Sequence, residues 1–60
     1  MTDDEIVQTA LGFERPFTLF GLKDAAGCTH EQTGRVLQRL VSSGDLKHFR
    51  RNGMTIYEWQ

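Results

Sequence analysis

A helix-stop signal and a helix-start signal stand close together near the middle of this chain, at Gly27 and Thr29, with only Cys28 between them. Glycine ends helices readily because it adopts a left-handed backbone without steric cost. Thr29 followed by Gln32 forms a capping box, in which each residue satisfies a backbone amide of the other. The pattern therefore predicts two helices joined by a tight turn, one ending at Gly27 and the next covering residues 30–42.

Another helix is predicted on the N-terminal side of this pair. Thr2 and Glu5 form a second capping box, and Gly12 supplies a stop. Pro16 disfavours helix in the residue before it, so residues 14–17 are expected to run extended before Thr18 caps the middle helix. The apolar positions of the three helices recur with helical spacing, which indicates one shared core. They are Ile6, Val7, Ala10, Leu11, Leu19, Leu22, Ala25, Ala26, Thr33, Val36, Leu37, Leu40 and Val41.

The dipeptide Asn52-Gly53 predicts a β-hairpin over the C-terminal residues, because both central positions of a type I′ turn need positive φ. Strand alternation then defines two faces. The first, expected to face the helices, carries Leu46, His48, Arg50, Thr55, Tyr57 and Trp59. The second carries Lys47, Phe49, Arg51, Met54, Ile56 and Glu58. Lys47 and Glu58 should form a cross-strand ion pair, and we expect His48 to be packed rather than catalytic.

Length and composition restrict the class of protein. Sixty residues form at most one domain, predicted over residues 1–60. A single cysteine excludes an internal disulfide and is typical of a reducing compartment. No segment approaches the roughly 20 apolar residues of a membrane span, and the acidic start is unlike a secretory leader. We therefore expect a cytoplasmic protein without a membrane partner.

Signatures of enzymes are absent from the sequence. It has no glycine-rich phosphate loop, no cysteine–histidine nucleophile pair and no His-x-x-x-His metal pair. The lone Cys28 lies in an apolar neighbourhood and is interpreted as a small core residue. The sequence predicts no catalytic residue, no metal site and no cofactor.

Charge is distributed unevenly along the chain, although the formal net charge is only −1. Residues 1–28 hold two cationic and five anionic side chains, whereas residues 29–60 hold five cationic and three anionic ones. Such an asymmetry is one mark of a face that binds nucleic acid.

The order helix, helix, tight turn, helix, β-hairpin resembles the winged helix-turn-helix superfamily of small DNA-binding regulators. The resemblance is carried by residues 18–29 and then by Thr33, Leu37, Leu40, Gly44 and Leu46. Residues 50–59 are also loosely similar to the fimbrial-operon regulators of enteric bacteria. Thr33 stands where the superfamily usually has valine, and Lys23 where it often has alanine. The resemblance implies an α+β fold class, a three-helix winged helix-turn-helix with a C-terminal two-stranded β-hairpin wing.

It also implies a transcriptional regulator that binds double-stranded DNA through helix 30–42 and the wing tip. Arginine can pair bidentately with guanine, and glutamine with adenine, while helix N-terminal amides can meet a phosphate. The predicted DNA-binding residues are Thr29, His30, Gln32, Arg35, Gln38, Arg39, Arg50, Arg51 and Asn52. Both features also have an explanation without DNA. Any surface helix has a polar outer face, and cations at a hairpin tip can prevent an edge strand from pairing with another chain.

A second interpretation is a protein-interaction module with the same fold. Phe49, Met54 and Ile56 would lie together on the outer face of the hairpin, and a contiguous apolar cluster is typical of a contact site. Glu31 on the outer face of helix 30–42 would repel phosphate. The partner would be a second copy of the chain or another regulatory protein, bound through the wing.

Overall fold

Three α-helices and three β-strands form over residues 2–60, which are the residues that the computed structural model describes. In chain order the elements are α1 Asp3–Leu11, β1 Phe17–Thr18, α2 Leu19–Ala26, α3 His30–Ser42, β2 Leu46–Arg51 and β3 Met54–Trp59. The strands form one antiparallel sheet in the order β1-β3-β2. The fold class is therefore α+β, as predicted. Met1 of the predicted 1–60 domain lies outside the described residues.

Side-chain caps determine where the helices begin. The amide of Glu5 donates to Thr2 Oγ1 at 3.3 Å, and the amide of Thr2 donates to Glu5 Oε1 at 3.0 Å. Both halves of the predicted N-terminal capping box are thus formed. Thr29 Oγ1 accepts from the amide of Gln32 at 3.1 Å, and Thr18 caps α2 in the same way. Each cap satisfies an amide donor that a helix start leaves without an intrahelical partner.

The junction between α2 and α3 has the predicted form. Gly27 has φ +69°, in the left-handed region, and its N–H donates to the carbonyl of Lys23 at 2.8 Å. From there α3 begins at His30 and ends at Ser42, which are the predicted bounds. Gly12 differs from Gly27, because its φ of −75° lies in the right-handed region that any residue can adopt.

The core lies between the helices and one face of the sheet. Its central row comes from α3 and consists of Thr33, Val36, Leu37 and Leu40. Around this row are the buried residues Ile6, Ala10, Phe17, Leu22, Ala26 and Leu46. Two residues of the predicted apolar stripes are not part of it, since Leu11 is 53% exposed and Ala25 is also exposed.

The sheet has three strands where the sequence predicted two. Phe17 pairs with Tyr57 and Thr18 with Ile56, so the short strand β1 lies on the opposite side of β3 from β2. The predicted extended segment therefore continues into a strand. Two paired residues are too few to show the alternation by which a strand is found in a sequence, and their partner lies far along the chain.

The β2–β3 pair has the predicted register, from Leu46 opposite Trp59 to the turn at Asn52 and Gly53. Both turn residues have positive φ, +52° and +79°, as a type I′ turn requires. The face that carries Leu46 and Trp59 points toward the helices. Trp59 packs against the core, and its Nε1–H donates to the carbonyl of Ala10 at 3.0 Å, which ties β3 to α1.

None of the helices formed by residues 2–60 combines the length and the apolar character needed to cross a membrane. The longest, α3, has 13 residues.

The contrast between Leu37 and Leu11 generates a stability prediction. Leu37 is fully buried at the centre of α3, whereas Leu11 is 53% exposed at the end of α1. We expect Leu37→Ala to lower the free energy of unfolding by about 2–5 kcal/mol, because it leaves a cavity as well as losing apolar burial. The matched variant Leu11→Ala should stay within about 0.5 kcal/mol of wild type. Chemical denaturation followed by circular dichroism measures both, and equal losses would contradict this assignment of the core.

Candidate nucleic-acid interface

One side of α3 lies beside the β2–β3 hairpin, and two adjoining grooves separate them. The first, the tip groove, has a volume of about 280 Å³ and lies where the start of α3 approaches the hairpin turn. It is lined by Thr18, Leu19, Phe20, His30, Gly53, Met54, Thr55 and Tyr57. The predicted DNA-binding residue His30 is therefore brought close to the predicted wing tip.

The second groove, the strand groove, runs beside the C-terminal half of α3 and has a volume of about 470 Å³. It is lined by Gly34, Gln38, Val41, Ser42, His48 and Tyr57. Tyr57 lines both grooves, and the two grooves together are called here the α3–hairpin cleft. This cleft places Gln38, another predicted DNA-binding residue, across from His48 on β2.

The opposite flank of α3 faces the start of α1. Asp3 Oδ1 accepts from Arg35 Nη2 at 3.0 Å, and Asp3 Oδ2 lies 3.6 Å from Arg39 Nη1. Gln32 also donates a side-chain hydrogen bond to this carboxylate. At about 100° per residue, the three α3 residues form one row along the helix, to the side of Gln38. One acidic side chain from α1 thus engages three of the predicted DNA-binding residues, an arrangement called here the Asp3 clamp.

The Asp3 clamp changes the electrostatics of α3. The hydrogen bond from Arg35 lowers the pKa of Asp3, with further lowering from the Arg35 charge, the Gln32 hydrogen bond and the Arg39 charge, against the opposing effect of desolvation. Asp3 is therefore anionic at neutral pH. The guanidinium groups remain accessible, since the side chains of Arg35 and Arg39 are 63% and 59% exposed.

The hairpin tip carries two arginines that form no ion pair in the described residues. Arg50 Nη2 donates to the carbonyl of Gly53 at 3.2 Å, and the guanidinium of Arg51 lies 5.7 Å from the centre of the Phe49 ring. Within residues 2–60 neither arginine forms an ion pair, and no acidic residue occurs between positions 46 and 57. Asn52 has positive φ in the turn itself. The tip is therefore a locally cationic point.

Farther along the hairpin, Lys47 Nζ lies 2.9 Å from Glu58 Oε1, as predicted for this cross-strand pair. Lys47 is thereby neutralised locally, unlike the tip arginines.

The face of the β2–β3 pair opposite Leu46 and Trp59, called here the outer face, carries Phe49, Met54 and Ile56, and Met54, next to the turn, also lines the tip groove. Phe49 and Ile56 are direct cross-strand neighbours and are half-buried, while Met54 is 49% exposed. None of the three packs against the core. These residues therefore share one strand face, as predicted, and the guanidinium of Arg51 lies over the Phe49 ring.

Sequence reasoning missed three residues of these surfaces. Asp3 was not singled out, because its contacts with α3 join distant parts of the chain. Phe20 was not singled out, yet it is 58% exposed at the tip groove with its ring centroid 5.7 Å from that of His30. His48 was expected to be packed; its ring stacks on Tyr57 at 6.2 Å, but the residue is exposed, because the strand groove leaves it uncovered.

Cys28 lies in the α2–α3 junction and is half-buried, with Sγ 2.8 Å from Thr33 Oγ1. Thr33 in turn donates to the carbonyl of Thr29 at 2.7 Å, so its hydroxyl bonds back along the helix. The thiol therefore belongs to the packing of this junction. Among residues 2–60, no cluster of histidine, cysteine and acidic residues could hold a metal ion.

No protein-family model, curated protein or solved structure matches this chain. Its function is therefore inferred from geometry and charge.

The acidic side chains at the start of α1 generate a pH prediction. The pKa of Asp3 lies below its ordinary 3.8 because of the Arg35 hydrogen bond, and the pKa of Glu5 lies below 4.5 because of the hydrogen bond from the Thr2 amide. A carboxyl group with a lowered folded-state pKa contributes stability above its unfolded-state pKa, and this is lost as pH falls through the folded-state value.

We therefore expect the melting temperature to fall on acidification from about pH 5 to about pH 2. The fall should be shallower in the double variant Asp3→Asn/Glu5→Gln, in which these two groups cannot titrate. Thermal melts by circular dichroism across this range make the comparison. Parallel profiles for variant and wild type would show that neither contact stabilises the folded state.

Proposed function

We propose that this chain is a winged helix-turn-helix domain that binds duplex DNA and acts as a small, cytoplasmic transcriptional regulator. In this proposal α3 is the recognition helix and the β2–β3 hairpin is the wing. The order of three helices followed by a hairpin supports the assignment. The third strand, β1, adds an anchor on the other edge of β3.

The observation that carries the proposal is the position of the hairpin tip beside the start of α3. His30 lines the same groove as Gly53 and Met54. The two elements that the sequence singled out for DNA contact are thus neighbours on one surface. A helix start and a cationic tip placed side by side can meet a groove edge and an adjoining phosphate of one duplex.

The start of α3 offers donors for a phosphate. Thr29 accepts from the amide of Gln32 through its hydroxyl and from the amide of Thr33 through its carbonyl. The amides of His30 and Glu31 have no acceptor within the helix, because they belong to its first turn. Such amides, together with the helix dipole, favour an anion. In this role Thr29 positions the turn, and Gln38 and the arginines of α3 face the bases.

The free cations of the hairpin tip generate a binding prediction. The double variant Arg50→Gln/Arg51→Gln should bind mixed-sequence duplex DNA more weakly, because cations that neutralise phosphates release counterions from the duplex. The slope of log K against log salt should become shallower by about 0.9 for each phosphate that the variant no longer neutralises. Fluorescence anisotropy at several salt concentrations measures both quantities.

Arg15→Gln, which removes one cation outside the hairpin, is the control for this experiment. Arg15 is exposed and lies outside the β2–β3 hairpin, two residues before β1. It should leave the salt slope unchanged. If the tip variant has the wild-type affinity and slope, the hairpin does not contact DNA.

The second candidate function is protein interaction through the outer face of the sheet. It is favoured by one observation: Phe49, Met54 and Ile56 share a strand face and none of them packs against the core. Contiguous apolar side chains of this kind mark contact sites in soluble proteins. A second copy of the chain and another regulatory protein are the two partners considered.

For the second candidate we expect wild type to self-associate at high concentration and Met54→Lys to remain monomeric. Met54 is 49% exposed, so a lysine there can reach solvent without disturbing the core. Sedimentation velocity over a range of concentrations tests this. A wild type that stays monomeric throughout removes a second copy as the partner, and unchanged association in Met54→Lys places the contact elsewhere.

A further inference from the structure

We propose that Asp3 determines the DNA specificity of α3 by competing with backbone phosphates for Arg35 and Arg39. The inference rests on the proposed DNA-binding function and extends it to a residue outside α3. Its basis is the Asp3 clamp: each carboxylate oxygen faces a different arginine, at 3.0 Å and 3.6 Å.

A carboxylate at this position resembles the ligand with which it competes. Carboxylate and phosphate both present paired anionic oxygens to a guanidinium, and both form charge-assisted hydrogen bonds with it. Asp3 is held in the first turn of α1, so its local concentration at the two arginines is high whether or not DNA is present. A phosphate can recruit these arginines fully only by displacing Asp3.

The exposed edges of the arginines remain available to bases. An arginine has five N–H donors, and the hydrogen bond to Asp3 Oδ1 uses the Nη2 group of Arg35. Bidentate contact with guanine needs two donors. Both arginine side chains are more than half exposed, so a base edge can approach while Asp3 stays in place.

Competition of this kind acts unequally on the two modes of binding. Non-specific binding comes from phosphate neutralisation, so removing two cations from that role weakens binding to every duplex. Base contacts depend on short-range geometry. An arginine held by Asp3 can still make these contacts, and its side chain is better ordered for them. Asp3 therefore raises the ratio of preferred-site affinity to mixed-sequence affinity.

The test compares Asp3→Asn with Asp4→Asn. The two substitutions change the net charge equally and lie next to each other in the first turn of α1, but Asp4 pairs with neither arginine. The DNA probes are a mixed-sequence duplex and a preferred duplex selected by the wild type from a randomised pool. For each protein, anisotropy titrations give the affinity for both probes and the salt slope on the mixed duplex.

We expect Asp3→Asn to bind the mixed duplex more tightly than Asp4→Asn does, with a salt slope steeper by about 0.9 for each additional phosphate neutralised. Its preferred-to-mixed affinity ratio should be lower. In the Arg35→Gln/Arg39→Gln background, Asp3→Asn and Asp4→Asn should become equivalent, because the competing cations are gone. Melting curves for all variants confirm that the fold is retained.

Equal slopes or equal ratios for Asp3→Asn and Asp4→Asn would overturn the inference while leaving DNA binding in place. A difference that persists without the two arginines would also overturn it, because Asp3 would then act through overall charge. If neither wild type nor Asp3→Asn binds any duplex at low salt, the proposed function fails and the inference fails with it.

Discussion

Burial of one face of α3 is the constraint on which the rest of this small structure depends. Val36, Leu37 and Leu40 form an apolar row, and Thr33 completes it with a hydroxyl that donates to the backbone of its own helix. α1, α2 and β2 all pack on α3. With so few residues, the chain has no second core to compensate for a defect in this one. The orientation of α3 about its axis is therefore set by packing, and its polar residues lie on the sides of the helix that the core does not cover.

The two flanks of α3 have different neighbours as a result. One flank meets α1, where Asp3 holds Arg35 and Arg39. The other meets the hairpin across the α3–hairpin cleft, where Gln38 lies across from His48. On the first flank one carboxylate offsets part of the charge of two arginines, while the arginines at the hairpin end of the cleft form no ion pair. The arginines of this surface therefore fall into two pairs: one on α3 that Asp3 holds, and one at the hairpin tip that forms no ion pair. The net charge of the chain does not reveal this division.

The sheet positions the hairpin relative to the helices through a small set of anchors. Trp59 donates to the carbonyl of Ala10, Leu46 enters the core, and Phe17 of β1 stacks near Tyr57. Leu46 and Trp59 lie at the end of the sheet away from the Asn52 turn, and Phe17 meets the middle of β3, so the hairpin is fixed to the helices at its base. The same arrangement leaves Phe49, Met54 and Ile56 out of the core, which is why one fold supports both a DNA-binding and a protein-binding proposal.

Local signals in the sequence determined the helices, the tight α2–α3 junction and the hairpin register, because caps, glycines with positive φ and residue alternation act between near neighbours. They also placed Phe49, Met54 and Ile56 on one outer face. Only the tertiary structure decided that β1 joins the sheet, that Phe20 stays exposed at a groove, and that Asp3 meets Arg35. These outcomes depend on pairings between distant parts of the chain, and such pairings follow from how the whole core packs, which no local pattern encodes.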